Sequence, residues 1–384
     1  MKKIIPFLVF SFSYRHLRAQ KNAVDVTFLL NRIEKLQVDN NAFFLVGSYP
    51  SYISSHQKYK TKHRDIDIFY NIVIDATLKK IAPKLDEPQQ VLVDSLLARS
   101  LPIYHRFKNK ERGSYNFWLR DSLCRFPMSW WIPLIKKKGN FLPDDLDDTA
   151  LKQLAWPDDS LEKLHRIMQQ YSHQPGRKIK STDKKYRKYN AYSTWFGKKF
   201  PVMFDVAVLT NILTYVQTYN LPWTKVDSAS LQLIVQSIKN GDYINKPLDI
   251  SPYYGKTAIV LYRFSRLMQV KKIPQLEALK PNLVNEGNLI FNHSKNIFEK
   301  IIVANALHGF GENITIQKLP TQAELPKMVE ENNYPFVLGN LSSYFPDFLK
   351  KSFYKMGALL YYYYCPAYND VLLLQYLVNT GVAK

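Results

Sequence analysis

Four carboxylates, Asp144, Asp145, Asp147 and Asp148, fall within five positions of "NFLPDDLDDTALKQLAW" (Asn140 to Trp156). They stand out because the 384-residue chain carries a formal charge of +21. Crowded, buried carboxyls raise one another's proton affinity, so such a group keeps a proton at neutral pH and acts as a strong acid when a weak base arrives. An unactivated alkene is such a base. The carbocation formed needs a dry chamber and ring faces, and a cation over an aromatic ring gains about 0.5 to 2 kcal/mol.

Rings are abundant, with 26 Tyr and 22 Phe. The candidate pocket aromatics are Trp118 in "GSYNFW", Tyr192, Trp195 and Phe196 in "NAYSTWFGKKFPVMFD", and Tyr253, Tyr254 and Tyr262 in "SPYYGKTAIVLYRFSR". "MSWWIP" (Met128 to Pro133) adds two tryptophans. Core packing is the better explanation for each such ring taken singly. A plain explanation also exists for the acids: Pro143 followed by Asp144 and Asp145 opens a helix, where carboxylates cap free N–H groups and suit the helix dipole. "PDDSLEKL" from Pro157 shows that opening without the extra pair, so Asp147 and Asp148 are the excess to be explained.

The Asp-x-Asp-Asp spacing of Asp145, Asp147 and Asp148, followed by Thr149 and Ala150, resembles the motif of class II terpene cyclases. These enzymes start isoprenoid cyclisation by protonation. The resemblance implies Asp147 as the general acid, Asp145 and Asp148 as its neighbouring carboxylates, a hydrophobic isoprenoid as the substrate, and the α/α-toroid fold that cyclases share with protein prenyltransferases. It covers the acidic motif and the helical architecture only; the Gln-and-Trp repeats of triterpene cyclases and the zinc ligands of prenyltransferases are missing. Asp144, Asp145 and Asp148 also fit the Asp-Asp-x-x-Asp pattern through which class I isoprenoid enzymes bind Mg2+. The second metal-binding helix of that class is not found. Mg2+ enters the expectation only if the substrate is a diphosphate, for which Lys198, Lys199, Arg263 and Arg266 are the candidate anchors.

The elements that must position these residues read as helices. Apolar positions recur at helical spacing in "VTFLLNRIEKL", "IDIFYNIVIDATLKKI", "VMFDVAVLTNILTYV", "AIVLYRFSRLM", "DFLKKSFYKMGALLYYYY" and other segments, about a dozen in all, while strand alternation is nearly absent. The prediction is an all-α chain: a single toroid of about twelve helices in two concentric rings around a central cavity, spanning residues 21–384. No Pro- or Ser-rich linker divides it.

The high charge admits an anionic partner, but no helix-turn-helix, zinc-knuckle or aromatic ribonucleoprotein signature is present, so no nucleic acid is expected. Cys124 and Cys365 stand outside any metal-ligand or disulfide pattern, no metal site is expected, and His165 and His308 read as structural. No Gly-rich phosphate loop or Ser elbow appears. Two other functions use the same residues. An exported carbohydrate-active toroid would pair Asp147 with Asp205 or Asp227, and a non-catalytic envelope binding protein would use the acids as a cap.

"MKKIIPFLVFSFS" has the basic and apolar regions of a secretory signal, with a small-residue pattern at Ser11 and Ser13 and a second candidate end at "LRAQ" (Leu17 to Gln20). Residues 1–20 are therefore expected to be a signal peptide and the chain periplasmic, with no membrane span. N-terminal sequencing after expression in a bacterial host tests this: a chain starting after Ser13 or Gln20 is expected, and a cytoplasmic chain retaining Met1 removes the expectation.

Overall fold

The computed structural model describes residues 23–55, 62–120, 142–172, 179, 182–197, 200–331 and 334–381. Cys124, Lys198, Lys199, the expected signal peptide and "MSWWIP" lie outside them. Sixteen helices are present among the described residues. In chain order they are α1 (Val26–Leu36), α2 (Phe69–Ile81), α3 (Glu87–Ser100), α4 (Leu146–Ala155), α5 (Leu161–Gln169), α6 (Val206–Thr218), α7 (Lys225–Lys239), α8 (Asp242–Asn245), α9 (Pro247–Ile250), α10 (Thr257–Val270), α11 (Pro274–Glu277), α12 (Lys280–His293), α13 (Ile297–Gly309), α14 (Leu325–Glu331), α15 (Asp347–Met356) and α16 (Pro366–Thr380). None is long and apolar enough to cross a membrane.

Their starts follow from local chemistry. Asp25, Asp145 and Asp205 cap α1, α4 and α6 by accepting first-turn N–H groups, and α3 and α7 open on capping boxes, Asp86 with Gln89 and Thr224 with Asp227. Six helices are buried along nearly their whole length and pack in a closed circuit: α2 on α4, α4 on α6, α6 on α10, α10 on α13, α13 on α16, and α16 back on α2. The partly exposed α1, α7 and α12 lie against α16, α6 and α13 respectively.

The all-α expectation needs correction. A four-stranded antiparallel sheet, β1 (Ser51–Ser54), β2 (His63–Asp65), β3 (Val337–Asn340) and β4 (Leu360–Tyr364), has the order β2-β1-β4-β3. The sequence reading had run the helix of "DFLKKSFYKMGALLYYYY" through β4. Gly357, at φ 63°, ends α15 in the left-handed conformation, and the four tyrosines after it are extended and pair with both neighbouring strands. Ahead of β3, the buried Phe336 packs among four rings. Its ring meets Tyr368 at 4.9 Å, Tyr262 at 6.0 Å, Tyr254 at 6.2 Å and Phe69 at 6.4 Å between centroids.

Gly47 sits where the chain turns from α1 towards β1, with φ 86° and its carbonyl accepting from the Gln37 side chain at 3.0 Å. A Cβ there would lie 2.0 Å from the Arg99 carbonyl oxygen. Gly47→Ala is therefore expected to destabilise the fold by about 3 kcal/mol, combining backbone strain with displacement of the α3 end. Denaturant unfolding measures this, and a loss below about 0.5 kcal/mol would show that the turn relaxes freely.

Candidate functional site

The acids are placed by a short extended segment that becomes a helix. Asp145 N–H donates to the Tyr115 carbonyl at 3.1 Å and Leu146 N–H to the Thr194 carbonyl at 2.8 Å, while the Asp144 carbonyl accepts from Phe196 N–H at 2.9 Å. Clamped between these neighbours, the chain enters α4 with Asp145 as its N-cap, accepting from Asp148 N–H at 2.6 Å. All four aspartates are buried, and their surroundings differ sharply.

Asp144 forms ion pairs with Arg112 (2.9 Å) and Arg120 and accepts from Ser114 (2.6 Å) and Asn109 (2.9 Å). Although burial opposes it, these donors and cations hold its carboxyl below the usual carboxylate range. That charge is spent, so the Asp-Asp-x-x-Asp reading loses its first member. Asp147 is anchored as well: Asn211 Nδ2 donates to Oδ1 at 2.6 Å, the Tyr254 hydroxyl donates to Oδ2, and Arg263 stands behind Tyr254. Burial still raises its pKa, with Arg263, Tyr254 and Asn211 pulling the other way.

Asp148 is different. No N–H or O–H reaches either of its carboxylate oxygens. Burial raises its pKa well above the normal value, and the neighbouring charges of Asp145, Asp147 and Asp67 add to the effect. Asp145 is raised in the same way, first by burial and then by Asp147. Asp145 and Asp148 each raise the other's proton affinity, and two carboxyls held so in an apolar space cannot both ionise. The helix dipole of α4 favours negative charge here, and desolvation outweighs it.

These three aspartates face a half-open cavity of about 80 Å³ whose other walls are almost entirely apolar. Phe69, Phe117, Trp195, Tyr253, Tyr344 and Tyr363 supply the rings, and β3 closes one side. Of the aromatics chosen from sequence, Trp195 and Tyr253 line it, joined by a 3.1 Å hydrogen bond from Trp195 Nε1 to the Tyr253 hydroxyl. Tyr254 holds Asp147 from behind. The others serve elsewhere. Trp118 donates to Asp65 at 3.1 Å, Phe196 packs on Tyr171, Tyr262 donates to Gln375 at 2.8 Å, and Tyr192 donates to Asp227 at 2.8 Å.

Of the expected diphosphate anchors, Lys198 and Lys199 lie outside the described residues, and neither Arg263 nor Arg266 lines the cavity. Arg263 is fully buried, its guanidinium 5.0 to 5.9 Å from the centroids of Tyr254, Phe336 and Phe69. Arg266, one turn on, points towards Lys80 and Tyr262. The carbohydrate reading fares no better. Asp205 caps α6 and accepts from Ser251 and from Tyr253 N–H, and Asp227 sits in a capping box and accepts from His165 and Tyr192, so both carboxylates are fully engaged.

Two acids went unnoticed in the sequence. Asp65 and Asp67, at the β2-to-α2 junction, are buried beside the cluster, and burial raises both their pKa values. Asp67 Oδ2 has no donor, and its charge reaches Asp148. The signal was the alternation in "HRDIDIF", a two-residue period that the reading absorbed into the following helix. Among the described residues, no group of three or more His, Cys, Asp or Glu side chains is arranged to hold a metal ion.

The sign of the pH dependence is fixed by these groups. Asp65, Asp67, Asp145, Asp147 and Asp148, together with Asp75 (about 6), Asp205 (about 7) and Asp370 (about 7), bind protons more tightly folded than unfolded. Their stabilisation is complete below the unfolded carboxylate range and is lost as pH rises through the folded values. The lowered carboxylates Asp144, Asp158, Asp183 and Asp227 act only at more acid pH, and His308, lowered by burial, opposes as a single group. Thermal unfolding should therefore show the chain losing stability between about pH 5 and about pH 7. Asp148→Asn should flatten that slope and raise stability at neutral pH by about 1 to 3 kcal/mol; a variant as pH-sensitive as the parent would show that Asp148 is ionised. Compared with known proteins, the chain matches no family model, no curated protein and no solved structure.

Proposed function

We propose that the chain is an isoprenoid cyclase-like enzyme that starts its reaction by protonating a carbon–carbon double bond. The observation that carries this reading is Asp148: a buried carboxyl without a donor to either oxygen, next to the buried Asp145 in the lining of an apolar, ring-walled cavity. The motif resemblance assigns the acid to Asp147. Both Asp147 oxygens are already met by Asn211 and Tyr254, with Arg263 behind them, so the proton is better placed on Asp148.

The step balances simply. The alkene π pair takes the proton from Asp148 and forms a C–H bond, the adjacent carbon becomes a carbocation, and the Asp148 carboxylate left behind carries the compensating charge beside an Asp145 carboxyl that keeps its own proton. Trp195, Tyr253 and Phe117 offer faces to the cation while rings close. A proton lost from a neighbouring carbon returns to the Asp148 carboxylate and restores the acid, so the overall change is an isomerisation.

A cavity of about 80 Å³ is far below the ~300 to 1,000 Å³ of a site that encloses a drug-sized ligand. The reading therefore places only a branched alkene terminus against the acids, with the remaining chain along the open side. The closed circuit of six buried helices supports the toroid part of the reading, with α1, α7 and α12 as members of an outer ring. Export stays with the leader-like N-terminus.

Incubation with linear isoprenoid hydrocarbons and diphosphates, with Mg2+ present, followed by extraction and chromatography tests the function. Asp148→Asn should lower formation of a cyclised product by at least about 10²-fold, and Asp147→Asn should retain more activity because it leaves the Asp148 carboxyl in place. Equal turnover by Asp148→Asn sinks the assignment. Complete loss in Asp147→Asn alone returns the acid to Asp147.

A further inference from the structure

A second charged cluster lies away from the cavity, where the end of α2 meets α10 and α16. Lys80, at the last turn of α2, and Lys84, in the 3₁₀ turn that follows, converge with Arg266 of α10. Lys80 donates to the Gln269 side chain and Lys84 to the Asn379 side chain at 3.0 Å, so the ammonium groups rest on neutral amides. Neither lysine nor Arg266 forms an ion pair with any carboxylate among the described residues, and Arg266 Nη1 is buried without an acceptor.

This arrangement is unfavourable for an empty fold. Like charges held together repel. Lysines at a helix C-terminus are favoured by the dipole, which accounts for Lys80 and Lys84. It does not account for Arg266, in the second half of a different helix, or for its unmet buried N–H. Acidic partners are plentiful elsewhere in the molecule, as with Lys152 and Lys108 on Asp158 or Lys350 on Asp249.

We propose that Lys80, Lys84 and Arg266 form a binding site for a phosphate group, with Gln269 and Asn379 as the neutral rim. The chemistry favours phosphate because the guanidinium fork matches two of its oxygens while the two ammonium groups act as mobile point charges on the others. Backbone geometry at the floor supports a fixed site. Gly309 of α13 packs so closely that a Cβ there would lie 1.9 Å from Ser265 Oγ and from Gln269 Nε2, which holds the Gln269 amide towards Lys80. The site is independent of the carboxyl cluster and stands whether or not Asp148 donates a proton.

The test titrates the full chain with inorganic pyrophosphate by calorimetry at constant ionic strength, alongside sedimentation with phosphatidylcholine vesicles containing phosphatidic acid. Saturable binding with Kd below ~1 mM is expected in at least one arm. Binding in the first identifies a soluble phosphate, and binding in the vesicle arm alone a lipid headgroup. Arg266→Gln and the exposed double variant Lys80→Gln/Lys84→Gln should each weaken it by about tenfold or more. Without ligand, Lys84→Gln should unfold at the same or a higher temperature than the parent, because it relieves repulsion. No saturable binding in either arm, or binding unchanged in both variants, overturns the site.

Discussion

Neighbouring carboxyls in an apolar space cannot all be ionised, and the architecture around α4 is arranged about that constraint. Water would dissolve the problem by solvating each charge. Its access is restricted to the cavity's open side by the buried helices α2, α4 and α6 and by β3 along the cavity wall. Within that enclosure each aspartate meets the constraint differently. Asp144 is neutralised by two arginines, Asp147 is held by Tyr254, Asn211 and the nearby Arg263, and Asp145 and Asp148 are driven by burial to hold their protons.

Arg263 shows how a full positive charge is tolerated in the same interior. Its Nε and Nη1 atoms find no conventional acceptor, yet the guanidinium lies near the rings of Phe69, Tyr254 and Phe336. A delocalised, weakly hydrated cation loses less on leaving water than an ammonium does, and ring faces return part of that loss. Tyr254 connects the two charges, donating to Asp147 while receiving from Arg263 at 3.4 Å. The distribution of charge in this core is thus set by three side chains from three elements.

What was legible in the sequence was what local spacing determines. "VTFLLNRIEKL" matches α1 residue for residue, and the cores of α6, α10 and α13 fall where apolar periodicity puts them. The acidic motif stood out because its charge contrasts with its surroundings. The sheet did not, since its strands are only three to five residues long and pair distant parts of the chain. Asp65 and Asp67 were hidden for the same reason: their importance comes from lying beside a helix start some eighty residues later, which no local window contains. The aromatics divided by orientation. Trp195 and Tyr253 turn to the cavity, and Tyr192 and Phe196, from the same stretch as Trp195, turn to separate clusters.

The helix circuit is closed by α16, the final element described, which packs on both α2 and α13; β4, just before it, sits between β1 and β3. A nascent chain leaving the ribosome therefore carries two unsatisfied apolar faces and an unfilled slot in its sheet until β4 and α16 have emerged. Contacts this distant in sequence slow folding and leave the incomplete polypeptide prone to aggregation. Assembly of this fold therefore waits on the stretch from Leu360 to Thr380, and a chain lacking it would be unable to seal its own interior.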